Sequence, residues 1–137
     1  MAFYPYLYFG GDCREAFTRY QEIFGGEVTL ITAADMPPED QMPGTEPDLI
    51  MHAVLSVDGN LLMASDDPSS EGAHTVQGMQ VSVSVSEVTE AKRLFTALAE
   101  GGTVSLEIAP TSWSPMFGMC TDRFGTPWMI SAEPSTA

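Results

Sequence analysis

Few side chains in this protein can do chemistry. The histidines are His52 and His74, and the cysteines are Cys13 and Cys120. His52 sits among apolar neighbours in Leu49-Ile50-Met51-His52-Ala53-Val54. It reads first as a hydrogen-bonded strand residue, next as a cleft-facing group that orients a ligand, and last as a metal ligand. His74 lies in a polar stretch and reads as solvent-exposed. Asp66-Asp67-Pro68 brings two carboxylates together, yet acids ahead of a proline mostly cap backbone amides in a turn. Neither cysteine has a histidine close in sequence, the two form no metal-type pair, and no Gly-x-Ser-x-Gly turn occurs. A nucleophilic hydrolase is therefore disfavoured, and the thiols read as free and intracellular, one near a helix start and one in a strand. Trp113, Phe117, Phe124 and Trp128 have burial in the core as their default. Trp113 departs from it, because Thr111-Ser112-Trp113-Ser114-Pro115 is polar and a loop tryptophan commonly lines a pocket or an interface. Arg123 reads as the partner of a nearby carboxylate before it reads as an anion site.

The elements that must carry these residues come in duplicate. Glu15-Ala16-Phe17-Thr18-Arg19-Tyr20, closing on Gly25-Gly26-Glu27-Val28, returns as Glu90-Ala91-Lys92-Arg93-Leu94-Phe95, closing on Gly101-Gly102-Thr103-Val104. Asp58-Gly59-Asn60-Leu61-Leu62-Met63-Ala64-Ser65 is matched by Phe124-Gly125-Thr126-Pro127-Trp128-Met129-Ile130-Ser131. One supersecondary unit is used twice. Tyr6–Phe9 is a short strand closed by glycines. Asp12 offers a helix N-cap with Glu15 in capping-box position, and Ala16, Phe17, Tyr20, Ile23 and Phe24 recur at helical spacing. Strands follow over Val28–Ala33, Leu49–Val57 and Leu61–Ser65, the last two joined by a hairpin turn at Asp58-Gly59-Asn60. The second half repeats the order with a strand over Met79–Val85, a helix opened by Ser86, and strands over Val104–Ile108, Pro115–Thr121 and Trp128–Ala132. Asp35–Asp48, rich in prolines and acids, predicts an irregular mobile flap. The domain reading is one domain over 1–137, with module 1 at about 1–67, a linker at about 66–78 and module 2 at about 79–137. The fold class is α+β, with two βαβββ modules forming curled mixed sheets around a central cleft.

Charge removes several partners. Five Lys plus Arg against 19 Asp plus Glu leave a formal net charge of −14, so nucleic acid and anionic membranes are disfavoured. No run approaches the ~20 apolar residues of a membrane span. The N-terminus lacks the basic and apolar segments of an export signal, so the expected location is cytoplasmic.

The chain resembles the vicinal oxygen chelate superfamily of glyoxalases, extradiol dioxygenases and fosfomycin-resistance proteins, and within it the PhnB-like branch. The resemblance rests on Tyr8-Phe9-Gly10-Gly11-Asp12-Cys13-Arg14-Glu15-Ala16, Ile23-Phe24-Gly25-Gly26, Met51-His52-Ala53 and Met63-Ala64-Ser65-Asp66-Asp67-Pro68. Phe95 to Gly102, Trp113, Phe117-Gly118-Met119 and Asp122 to Trp128 extend it over almost the whole chain. It implies a homodimer and, in metal-dependent relatives, a divalent ion held by side chains from the first and last strands of each module. Anchored on the helices, those slots fall at Pro5, Met63, Gln80 and Met129. Proline offers no donor and thioethers suit hard or borderline divalent ions poorly, so no metal and no cofactor are expected.

What remains is a binding function. The expected activity is capture of a small, partly apolar molecule of unknown identity in the cleft between modules, without the family's metal. The ligand-pocket candidates are His52, Met63, Ser65, Gln80, Trp113, Phe117, Trp128 and Met129; no catalytic residue is assigned. The alternatives are a superfamily enzyme of lyase, isomerase or dioxygenase type with a relocated metal or His52 as base, and a structural homodimer built on open sheet edges and the Trp113 region. A methyltransferase, as labels in this branch suggest, is the weaker alternative, because the hairpin-like connections do not suit the open parallel sheet that binds S-adenosylmethionine.

Overall fold

A computed structural model describes residues 1–67 and 76–134. His74, Pro68 and most of the expected linker lie outside the described residues. The chain divides into two units, Met1–His74 and Thr75–Ala137.

In the first unit, β1 (Tyr6–Phe9) leads to α1 (Cys13–Phe24), then β2 (Glu27–Thr32), β3 (Ile50–Val57) and β4 (Asn60–Asp66). The sheet runs β1-β4-β3-β2. β1 is parallel to β4, and the other pairings are antiparallel. The apolar stripe of α1 buries Ala16, Phe17, Tyr20 and Ile23, and Leu7, Phe9, Ala53, Leu55 and Ala64 are buried on the sheet. Phe17 meets Phe9 edge-on with centroids 6.3 Å apart. Each such side chain contributes roughly 1.5–3 kcal/mol by leaving water.

The capping box expected at Asp12 and Glu15 does not form, since Asp12 makes no side-chain capping bond. Asp66, at the end of β4, takes over that work. Its Oδ1 accepts the amides of Gly11 and Cys13, each at 3.0 Å, and its Oδ2 accepts that of Ile50 at 3.0 Å. A carboxylate from across the sheet thus pins the helix start and the head of β3, as the turn-capping reading of Asp66 anticipated. Two single-turn 3-10 helices, Ala33–Asp35 and Pro38–Asp40, follow β2; the first ends where the expected irregular flap begins, and the second lies within it. The first is closed by a reciprocal box: Thr32 N and Oγ1 donate to Asp35 Oδ2 at 3.0 and 2.9 Å, and Asp35 N donates to Thr32 Oγ1 at 3.3 Å. Those bonds hold the Asp35 carboxyl below the usual range.

The second unit repeats the plan with β5 (Val81–Val85), α2 (Val88–Ala99), β6 (Thr103–Ala109), β7 (Met116–Thr121) and β8 (Pro127–Ala132), in the order β5-β8-β7-β6. Each observed strand begins and ends within two residues of its expected place. The duplicated Gly-Gly pairs have a steric cause. A Cβ on Gly26 would stand 2.1 Å from the Ser56 carbonyl oxygen, and one on Gly102 would stand 2.1 Å from that of Thr121. In both units the chain leaving the helix passes too close to the third strand for a side chain. Among the described residues no helix is long and apolar enough to cross a membrane.

Candidate functional site: the helix-free faces of the two sheets

Strand alternation sends half of each sheet's side chains towards its helix and half to the other face. In the first unit Leu7, Phe9, Ala53 and Ala64 belong to the helix side. Register then assigns the opposite face. Tyr6 pairs with Met63 and Tyr8 with Ser65, while Val54 pairs with Met63. His52, two residues before Val54, shares that face. The Tyr6 hydroxyl lies 3.1 Å from His52 Nδ1. The two rings stack at 22° with centroids 5.8 Å apart, and Tyr8 tilts against Tyr6 at 5.4 Å. Tyr6 and Tyr8 keep 39% and 56% of their surface exposed, in contrast to the buried Leu7 and Phe9 between and after them. The first unit therefore presents a phenol, an imidazole and a thioether on one aromatic face, where the Ser65 hydroxyl is buried.

In the second unit the helix side is fixed by Gly118, where a Cβ would come within 2.9 Å of the Phe95 ring of α2. Gly118 pairs with Ile130, so Trp128, two residues away on β8, also faces the helix. It is buried to 1% exposure, and its Nε1 donates to Asp122 Oδ2 at 2.7 Å. Asp122 Oδ1 also accepts the amides of Phe124 and Thr126 at 2.9 and 3.0 Å, which ties the final turn to the core. The placement of Trp128 among the pocket residues is corrected accordingly: its indole is a core group with a buried carboxylate partner.

Phe117, Met119, Met129 and Ser131 occupy the other face, with Ser82 opposite Met129 on β5. Gln80 joins them, its Nε2 lying 3.4 Å from Met119 Sδ. Trp113 is 62% exposed and meets Phe117 edge-on, with centroids 5.4 Å apart. Its loop is anchored beside it, where the buried Ser114 hydroxyl donates to the Ala132 carbonyl at 2.6 Å. Of the pocket candidates, His52, Met63 and Ser65 thus share one face, and Gln80, Trp113, Phe117 and Met129 belong to the other unit's corresponding surface. Tyr6, Tyr8, Ser82 and Met119 were missed. The Tyr6-Leu7-Tyr8-Phe9 alternation was the signal that could have found the tyrosines.

The remaining titratable candidates are withdrawn into structure. Cys13 and Cys120 are free and buried. Burial first, and the neighbouring Asp66 second, push the Cys13 thiol far up. Burial and then Asp122 raise Cys120 to about 11. Both are weak nucleophiles at neutral pH. Arg123 stacks its guanidinium over Phe124 at 4.7 Å.

The donor set can now be tested against the superfamily's divalent ion. The expected slot at Pro5 slips by one residue, because Tyr6 pairs with Met63 where Ser82 pairs with Met129. The cause is the first connection: Gly10, Gly11 and Asp12 separate β1 from α1, whereas only Ser86 and Glu87 separate β5 from α2. Register therefore matches Gln80 with Tyr4. With Tyr4 ahead of the first strand, Tyr6 on it, and Met63, Gln80 and Met129 elsewhere, the positions supply phenols, an amide and thioethers, without imidazole or carboxylate. These do not fit a hard or borderline divalent ion. Among the described residues no three His, Cys, Asp or Glu side chains are grouped as a metal site.

Comparison with known proteins places this arrangement. The model of a family described as 3-demethylubiquinone-9 3-methyltransferase matches residues 1–131. Protein YjdN of Escherichia coli K12 is 35% identical over 136 residues, covering 93% of this chain and 92% of its own. The crystal structure of PA1353 from Pseudomonas aeruginosa superposes with a TM-score of 0.89 at 42% identity, over 98% of this chain and 99% of that one. A Bacillus cereus PhnB protein, named as a putative 3-demethylubiquinone-9 3-methyltransferase, shares the fold with a TM-score of 0.77 at 20% identity, over 96% and 99% of the two chains.

Proposed function

Since the chain belongs to the 3-demethylubiquinone-9 3-methyltransferase family, the PhnB-like branch of the vicinal oxygen chelate superfamily, we propose that it binds a small, partly apolar molecule without the superfamily's divalent metal. The binding surfaces in this reading are the helix-free faces, carrying Tyr6, His52 and Met63 in the first unit and Gln80, Phe117 and Met129 in the second. One observation carries it: tyrosines 39% and 56% exposed on a strand whose other residues are buried, with an imidazole bonded to one of them. A monomeric surface has little reason to keep such a patch uncovered. Methionines suit the role, because unbranched thioethers adapt to irregular apolar shapes.

The methyltransferase name does not transfer with the family. Transfer from S-adenosylmethionine on a doubly wound sheet uses the carboxyl ends of parallel strands, and only one pairing in each sheet here is parallel. A superfamily enzyme using His52 as base is the second reading, favoured by the Tyr6 hydroxyl at 3.1 Å from Nδ1.

The test is a thermal-shift screen of small aromatic and apolar molecules on protein stripped with a chelator. A specific binder stabilises the folded chain by mass action, by about 2.7 kcal/mol at a hundredfold excess over its Kd, and so raises the midpoint. Hits that survive metal removal and weaken in Tyr6→Ala support the reading. Binding that requires an added divalent ion contradicts it.

A further inference from the structure

We propose that Tyr6 and His52 form a proton-controlled recognition point for an anionic oxygen carried by a small planar molecule. The inference rests on the binding role above and assigns the ligand its chemical class. A neutral imidazole has one N–H donor and one acceptor nitrogen, and a phenol can give or receive. One hydrogen therefore lies between the Tyr6 oxygen and His52 Nδ1, which are 3.1 Å apart. When His52 takes up a proton, both ring nitrogens become donors. Nδ1–H then points at the phenol oxygen, which can only accept. The phenolic hydrogen is released to the open side, and Tyr6 has room for it at 39% exposure. For the Nε2–H tautomer, in which the phenol donates to Nδ1, protonation thus adds a positive charge and frees an O–H donor at the same place. Charge-assisted bonds are stronger than neutral ones by about a factor of two.

The surroundings suit a flat body behind that oxygen. The Tyr6 and His52 rings lie within 22° of parallel, and Tyr8 supplies a second ring 5.4 Å from Tyr6. The other ionisable groups on this face are few. Tyr4 and Tyr8 flank Tyr6 along the chain, and β4 contributes none. On β2, Glu27 pairs with Ser56, at the end of β3 remote from His52. Asp35, beyond the end of β2 that adjoins His52, has its carboxylate bonded to Thr32. The chain's net charge of −14 opposes any anion, so the neutral pair holds one poorly and the proton on His52 becomes the condition for binding.

Benzoate, ionised throughout the histidine range, and benzamide, its neutral counterpart, are titrated into the full chain from about pH 8 to about pH 5.5. Benzoate is expected to gain about tenfold in affinity on acidification, while benzamide stays constant. His52→Ala, with His52→Gln as the alternative where the alanine variant loses its fold, abolishes the gain; Tyr6→Phe reduces it several-fold. Imidazole nitrogen shifts of His52 without ligand give a second readout, since Tyr6→Phe must change its tautomer balance or its titration. Benzoate binding that ignores pH, or His52 shifts identical in both proteins, overturns the inference. Equal, pH-independent binding of both probes would do so while leaving the broader binding role standing. If neither probe binds at any pH, the recognition point is refuted, and the broader role then rests on the thermal-shift screen.

Discussion

The two units share a scaffold and differ on the face that the scaffold leaves open. By register, Tyr6 corresponds to Ser82, Tyr8 to Ser84, and Val54 to Met119. His52 and Phe117 lie two residues before the last pair. Met63 and Met129 remain alike, as do Ser65 and Ser131. The first unit places its rings on the edge strand β1 and its imidazole two strands inward, on β3. The second places serines on the edge and its aromatic group inward, extended by Trp113. On the helix sides, by contrast, both units present the same buried apolar pattern. Packing constrains one face of each sheet, while the other is free to differ between the repeats.

The units also close themselves with different wiring, and the largest effects should appear there. Asp122→Ala removes the acceptor of the indole of a tryptophan that is 1% exposed, and of two amides. Asp66→Ala orphans three amides at the helix start and β3. Each should cost about 3 kcal/mol or more in denaturant unfolding. The Asp122 variant should also shift tryptophan fluorescence. A loss under 1 kcal/mol in either would break the assignment of these acids to structure. Next come the paired glycines. Gly26→Ala and Gly102→Ala each force a Cβ against a backbone carbonyl at 2.1 Å, for about 1–3 kcal/mol. Gly26 also has a φ of +80°, so its variant should be worse by about 1 kcal/mol, a direct contrast between the repeats.

The thiols follow. Cys120 is raised from 9.0 to about 11 when folded, so the unfolded chain loses this proton first. The associated stability is fully present below about pH 9 and drains away as pH rises towards about 11. Urea midpoints across that range should fall, less steeply in Cys120→Ala. A flat profile would contradict the burial argument. The smallest change belongs to the open face: Tyr6→Phe removes an exposed hydrogen bond and should cost about 0.5 kcal/mol or less. A loss above 2 kcal/mol would make Tyr6 a core residue and erase the distinction between faces.

Much of this scaffold was legible. The glycine-closed helices and the alternating strands carry their positions in local patterns, and duplication supplied each element twice. The errors share one origin, which is that long-range partners are invisible in a linear pattern. Asp12 looked like a cap because it precedes a helix, yet Asp66 arrives from β4 to do the work. By sequence Trp128 groups with Met129 and Phe117, which lie on the helix-free face. Its parity and its bond to Asp122 put it in the core. One extra residue between β1 and α1 shifted the mapped slot from Tyr4 to Pro5. The Tyr6–His52 bond joins residues 46 apart in sequence, and nothing local announces it.

The account turns on the helix-free faces being the ligand surfaces. Amide and methyl shift mapping on isotope-labelled, chelator-treated protein, titrated with the hits of an aromatic fragment screen, tests this most directly. The predicted result is a set of perturbations centred on Tyr6, Tyr8, His52 and Met63, with a second set at Gln80, Phe117 and Met129. Perturbations confined to α1, α2 or the β6 edge, or their disappearance once metal is removed, would contradict it.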